Sequence, residues 1–401
     1  MEDNSKNRKL LVFHTIEFLS LPILSFFTSV KNYKNGISQF FFVLFAFYFG
    51  WQLDTSFSFD LGNHYYSFTQ CFVNRSLSQI ISNPFVYGIG KEPYHIIFKF
   101  LVAQISSNSH FFAACAAAIY AIIFLYFFRQ LSSFYQNRQL QIQLLILCAI
   151  AVTVEFYWYC GVRYWPGAFF FLAFFIKYIK TDKRKYLFIS FCAVLFHSAH
   201  GILIIAVLLG LALKNHRKIL YALVCLCVIL GRLANSILYY LQMVPFLNLF
   251  VRDVYFDSDK IESTNAITAH FRNEGNLVYQ NRTNAIFCVS LLILYMLWRR
   301  NKNVNQQYSK FYSILLSFFA VANLLYANIT AYERVYKLFV VLFLTYLYFL
   351  LHSKINIWIN KRKRIIVLLI GIILFSLLTA IVQQRKILMD PTIWFGSIWS
   401  L

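Results

Sequence analysis

Apolar runs of near-spanning length recur from one end of this 401-residue chain to the other. They occupy residues 11–29, 37–53, 111–128, 142–158, 164–180, 186–213, 219–241, 284–298, 311–328, 334–351 and 365–382. A helix crossing a bilayer needs about 20 consecutive apolar residues. The pattern therefore predicts an all-α, polytopic integral membrane protein with about 11–12 transmembrane helices. The run at 186–213 is too long for one ordinary span, and Gly201 follows His200 near its middle, so two short helices are expected to meet there. The first run holds Glu17 and Pro22 and lacks a small-residue cleavage site after it. It reads as an uncleaved span or an interfacial segment, not a signal peptide. With no internal repeat and no soluble domain, residues 1–401 read as a single transmembrane domain.

Basic residues between the runs set the orientation. Arg129 and Arg138 lie in one loop, and Lys177, Lys180, Lys183, Arg184 and Lys185 in the next. Then come Lys214, Arg217 and Lys218, Arg299, Arg300 and Lys302, and finally Lys354, Lys361, Arg362, Lys363 and Arg364. All of these are cytoplasmic under the positive-inside rule only if 186–213 crosses twice. A helical hairpin with His197 and His200 near its tip is therefore expected. Lys31 and Lys34 also suit the cytoplasm, which would put Lys6, Arg8 and Lys9 outside; a first helix that does not cross removes that conflict.

The remaining connections then gather on the outer face. Residues 54–110 hold Asp60, His64, Tyr65, Glu92 and Tyr94, followed by an apolar stretch, 95–105, too short to span and expected to be re-entrant or interfacial. Residues 242–283 are polar and are expected to form an outer lid.

Composition agrees with this class. Hydrophobic residues make up 60% and charged ones only 13%, against about a quarter charged in soluble domains. The net charge of +22 comes from residues clustered between runs. They read as topology determinants and headgroup anchors, and not as a nucleic-acid surface. Among the eight cysteines no C-x-x-C occurs, and six lie inside apolar runs as small hydrophobes, so no disulfide or metal framework is expected.

Two short stretches carry candidate chemistry: Gly161-Val162-Arg163-Tyr164-Trp165-Pro166, and Leu195-Phe196-His197-Ser198-Ala199-His200. An arginine at membrane depth costs about 2.5–3.5 kcal/mol even on the lower scales, and residues kept there usually face a cavity or ligand. Arg163 and Arg334 stand at the outer ends of predicted spans, where a phosphorylated lipid headgroup rests. The planar guanidinium fork matches phosphate oxygens bidentately and stays charged. Asp60, Glu92, Glu155 and His197 are candidate proton acceptors. His197 and His200 form an H-x-x-H pair without a third nearby ligand, so no metal is assigned.

The order of these elements resembles the EpsG family of polysaccharide-biosynthesis membrane proteins, relatives of the Wzy polymerases. The resemblance runs over residues 37–350. It rests on Asp60-Leu61-Gly62-Asn63-His64-Tyr65, on Lys91-Glu92-Pro93-Tyr94, and on Gly161-Val162-Arg163. A basic loop, Phe196-His197-Ser198, and Glu333-Arg334 before a late span complete it. Two departures stand out: Tyr164-Trp165-Pro166 replaces small or polar residues, and His64 stands where an arginine is common.

The resemblance implies a GT-C-like, metal-independent glycosyltransferase of the bacterial cytoplasmic (inner) membrane, without a cofactor. It would join undecaprenyl-diphosphate-linked repeat units on the outer face, for capsule, exopolysaccharide or O-antigen. A flippase and a chain-length regulator would be its partners. Under that reading Arg163 and Arg334 bind diphosphate, with Tyr65, Tyr94 and His64 as further substrate contacts. His197, with Asp60 or Glu92, orients or deprotonates the acceptor. Two rivals differ by testable features: a flippase of the same lipid is typically built from repeated halves, and an acyltransferase needs a site open to the cytoplasm.

Overall fold

The computed structural model describes residues 2–53, 59–82, 92–132, 146, 149–150, 153, 161–242, 289–293, 295–296, 306–327, 329–352, 370–371 and 374. Regular structure among them is helical throughout, with no strand. The all-α expectation therefore holds for the described residues. By length and composition one described helix, Ser109–Ser132, is apolar and long enough to cross a membrane.

The helices start and stop where the sequence supplies punctuation. Pro22 has no N–H to give and closes α1 (Glu2–Ser20) while opening α2 (Pro22–Lys31) from its first position. The run at 11–29 is thus two helices and not one span. They fold back on each other through polar cross-links: His14 Nδ1 lies 3.2 Å from Ser25 Oγ, and Thr28 Oγ1 donates to Glu17 Oε1 at 2.9 Å. His14 Nε2 also meets Ser38 Oγ at 3.0 Å on α3 (Gly36–Gln52). Asn35 caps α3 by accepting from the Ile37 amide.

After α3 come α4 (Phe59–Cys71), α5 (Leu77–Ser82) and α6 (Pro93–Ala103), then α7 (Ser109–Ser132). The 11 residues of α6 rise only about 17 Å, short of the ~30 Å hydrocarbon core. Next are α8 (Tyr164–Thr181), ended by Asp182 in the left-handed region at φ 54°, and α9 (Arg184–Phe191).

The 186–213 run breaks at Phe196–His197, earlier than the expected Gly201. Cys192–Leu195 and Ser198–His200 are 3-10 turns, and α10 (Gly201–Ala212) begins at the glycine. The eight residues of α9 with the four that follow rise about 20 Å, and the 12 of α10 about 18 Å. Each limb is shorter than a full crossing. The two short helices expected in this run are present, with the break between them at Phe196–His197. Side chains, one local and one distant in sequence, take the amides that would have continued the helix.

The remaining helices are α11 (Arg217–Gln242), α12 (Gln306–Leu324) and α13 (Ile329–His352). They agree with the runs at 219–241, 311–328 and 334–351. The runs at 142–158, 284–298 and 365–382 lie mostly outside the described residues, and the 242–283 lid almost wholly so.

The chain divides into two compact units, Met1–Ser133 with Glu155–His200 and Ile381–Leu401, and Phe134–Val154 with Gly201–Ala380. In the first, α3 lies directly on α7: a Cβ on Gly50 would sit 2.7 Å from the Ala113 carbonyl oxygen. Ala113, Ala114, Ala116 and Ala117 allow that backbone approach. Further along, α7 places Tyr120, Phe124 and Phe127 edge-on to Phe169 of α8. In the second unit, α12 receives α10 at Gly210, where a Cβ would lie 2.5 Å from Ile314 Cα. Phe319 of α12 packs edge-on against Phe339 of α13.

Candidate functional site

The first unit brings four distant pieces of sequence onto one carboxylate. Glu92 is the N-cap residue of α6, yet its side chain does not cap the helix. Pro93 occupies the first helical position, which removes one of the amides to be satisfied. The carboxylate turns elsewhere. Oε2 accepts from Arg163 Nη1 at 2.6 Å, while Oε1 accepts from the Ser198 amide and the Ser198 hydroxyl, both at 3.1 Å. His197 Nδ1 lies 3.3 Å from Oε1, and His95 Nδ1 lies 3.6 Å from Oε2.

These contacts explain the break after α9. The Ser198 amide goes to Glu92, and the Ala199 amide goes to His197 Nδ1 at 3.1 Å. Neither continues the helical ladder. The amide must donate, so His197 Nδ1 is the acceptor in this contact. Protonation at Nδ1 would exchange the Ala199 contact for the Glu92 carboxylate.

His200 closes the turn onto α8. Its Nε2–H donates to the Tyr164 carbonyl at 3.0 Å, and a Cβ on Gly167 would lie 2.6 Å from that same nitrogen. His200 is completely buried. It fixes the start of α8, immediately after Arg163, and is committed to that role. Among the described residues no group of three His, Cys, Asp or Glu is arranged to hold a metal ion.

A second polar seam lies behind Glu92. On α6, Glu92, His95 and Lys99 follow at i, i+3 and i+7, so they share one helical face. On α4, His64 and Ser67 do the same. The His64 and His95 ring centroids are 6.2 Å apart, and Lys99 Nζ donates to Ser67 Oγ at 3.1 Å.

The electrostatics follow from burial and this cation excess. Burial would raise the Glu92 carboxyl, but His197, the Ser198 amide and Arg163 together outweigh it and lower the group to about 2. Burial, reinforced by the Lys99 cation, pushes His95 down to about 4 despite Glu92 nearby. His64 is held well below the usual imidazole range, first by burial and then by Lys99 and Arg163.

Access is unequal. The Arg163 side chain is 32% exposed, whereas Glu92 and His197 are 7% and 5% exposed. A ligand arriving at this cluster meets the guanidinium first, with the carboxylate behind it.

Of the residues singled out from sequence, Glu92, Arg163, His197 and His64 come together here. Tyr94 stacks on Phe196 with ring centroids 4.2 Å apart, so its ring supports the turn before His197. Tyr65 donates to the Ser107 carbonyl at 3.2 Å and packs on Phe68 and Phe112. Both tyrosines are half-buried and pack against neighbouring rings. The Asp60 backbone belongs to α4, but its side chain lies outside the described residues, as does that of Arg232; Glu155 is outside them entirely. Arg334 is half-buried in α13 of the second unit.

Sequence reasoning missed His95, Lys99 and Ser198. The first two were legible as polar residues at helical spacing from Glu92 within an apolar helix. Ser198 enters the sequence reading only as part of the Phe196-His197-Ser198 stretch and without a role, because its main-chain amide, which donates here as well as its hydroxyl, has no side-chain signature. In comparisons of the whole chain, no family model, no curated protein and no solved structure matched it.

Proposed function

We propose that this chain is a polytopic membrane enzyme of the bacterial inner membrane that polymerises undecaprenyl-diphosphate-linked oligosaccharide repeat units. The growing chain is transferred to the non-reducing sugar of a new repeat unit, and polyprenyl diphosphate leaves. The observation that carries this reading is the half-exposed Arg163 braced from its buried side by Glu92, next to the His197–Ser198 turn. A leaving diphosphate gains negative charge as the glycosidic bond breaks, and a pre-oriented guanidinium stabilises it without reorganising. Glu92 uses one of the guanidinium's five N–H donors, which leaves others for phosphate oxygens.

The low Glu92 carboxyl makes it a poor proton acceptor, so its earlier candidacy as the base is dropped in this scheme. Orientation of the acceptor hydroxyl falls to His197 and proton removal to Asp60. Membrane residence is supported by large apolar side chains exposed on several helices, among them Phe13, Ile16, Phe40, Ile122, Ile205 and Leu208. Water disfavours such surfaces and lipid does not.

Deleting the gene and resolving the surface glycan on a gel tests the reading. Loss of the ladder with a single repeat unit remaining is the expected result. Loss of all surface repeats, with lipid-linked repeats accumulating inside, would instead identify a flippase.

A further inference from the structure

We infer that Glu92 is a positioning residue: it aims the Arg163 fork at the lipid diphosphate and locks the His197–Ser198 turn beside it. This rests on the polymerase reading above and assigns Glu92 a role other than acid or base. Three features of the geometry carry it. The contacts span 71 residues to Arg163 and 106 to Ser198, so one side chain ties the start of α6, the start of α8 and the turn before α10. Each carboxylate oxygen is used differently, Oε2 by Arg163 and Oε1 by Ser198, so the carboxyl plane fixes both partners relative to each other. Finally, the carboxylate sits on the buried side of a guanidinium that is partly open.

Arg163 gains little direction from its own backbone. It is the N-cap residue of α8 with φ −131° and makes no side-chain cap bond. A long side chain in that setting samples several rotamers, and a buried bidentate-capable acceptor selects among them. Without the carboxylate the guanidinium keeps its charge but loses its aim. The His197–Ser198 turn would also lose two of its hydrogen bonds.

The experiment is a double-mutant cycle read by binding of undecaprenyl diphosphate to the purified full-length protein in lipid nanodiscs. Glu92→Gln keeps the shape of the side chain and removes its charge. In the wild-type background it is expected to weaken binding about tenfold or more, within the range of couplings between residues in direct contact. In an Arg163→Ala background, where the polyprenyl tail keeps residual binding measurable, the same change is expected to have little further effect. If Glu92→Gln does not fold, Glu92→Asp is read in the same two backgrounds, because it keeps the charge but withdraws the carboxylate by one methylene. Equal losses in both backgrounds, or no loss in the wild type, overturn the positioning role alone. Absence of binding by the wild-type protein overturns the polymerase reading and this role with it.

Discussion

Arg163 donates through Nη1 to Glu92 Oε2 at 2.6 Å, and the arginine side is the more exposed of the two. A buried carboxylate with an open cation in front of it has a direction.

Lysine keeps the charge of arginine but has one nitrogen instead of a planar fork. If that nitrogen stays with Glu92, nothing equivalent reaches the diphosphate. Arg163→Lys is therefore expected to abolish most polymer on the surface-glycan gel while the protein still accumulates in the membrane. Arg334→Lys is expected to act in the same direction and less severely. Normal polymer length and amount in both variants would reduce these arginines to headgroup anchors.

Gly167 faces the Phe196–His200 turn, with Phe196 Cβ and His200 Nε2 each 2.6 Å from where a Cβ would be. Gly167→Ala is expected to displace the turn and to cost about 1–3 kcal/mol, as overpacking does. Thermal unfolding of the purified protein measures it. Gly36→Ala, where a Cβ meets nothing within 4 Å, is the control and is expected to leave unfolding unchanged.

His64 and His95 are both held neutral below the usual imidazole range. As pH falls below about 6.5 the unfolded chain binds protons that these native rings refuse, so stability falls with pH. For His95 the loss continues until about pH 4, where the folded ring itself protonates. Glu92 acts in a lower window, losing its contribution as pH falls from the ordinary carboxyl range toward about 2. Melting temperatures of wild type and His95→Gln at pH 7.5, 6 and 5 check this. A shallower decline is expected in the variant.

Orientation can be tested with thiol labelling from outside the cell. After replacing Cys71 and Cys160, a cysteine placed at Gly201 is expected to react with an impermeant reagent and one at Lys183 is not. The reversed pattern would put the Glu92–Arg163 cluster on the cytoplasmic side and favour the acyltransferase alternative.

Much of the helical architecture was decided by the one-dimensional pattern. Long uninterrupted apolar stretches such as those in α3, α7, α8 and α13 bury well as helices and as little else, so their extents could be read directly. Pro22 and Asn35 make a break and a cap for purely local reasons, although the run at 11–29 reads as one segment in the pattern. Arg163 and His197 stood out individually because charge is costly among apolar neighbours, and Glu92 through the Lys91-Glu92-Pro93-Tyr94 stretch. What the pattern could not hold was their meeting. The Arg163–Glu92 and Ser198–Glu92 bonds join residues 71 and 106 positions apart, and no periodicity relates such positions. The break at Phe196–His197 belongs to the same class: its amides are taken by acceptors, one of which arrives from α6. The surroundings of Glu92 were hidden in the sequence for that reason. In sequence a carboxylate before a proline looks like an available base, and only the folded chain surrounds it with donors that hold its proton away.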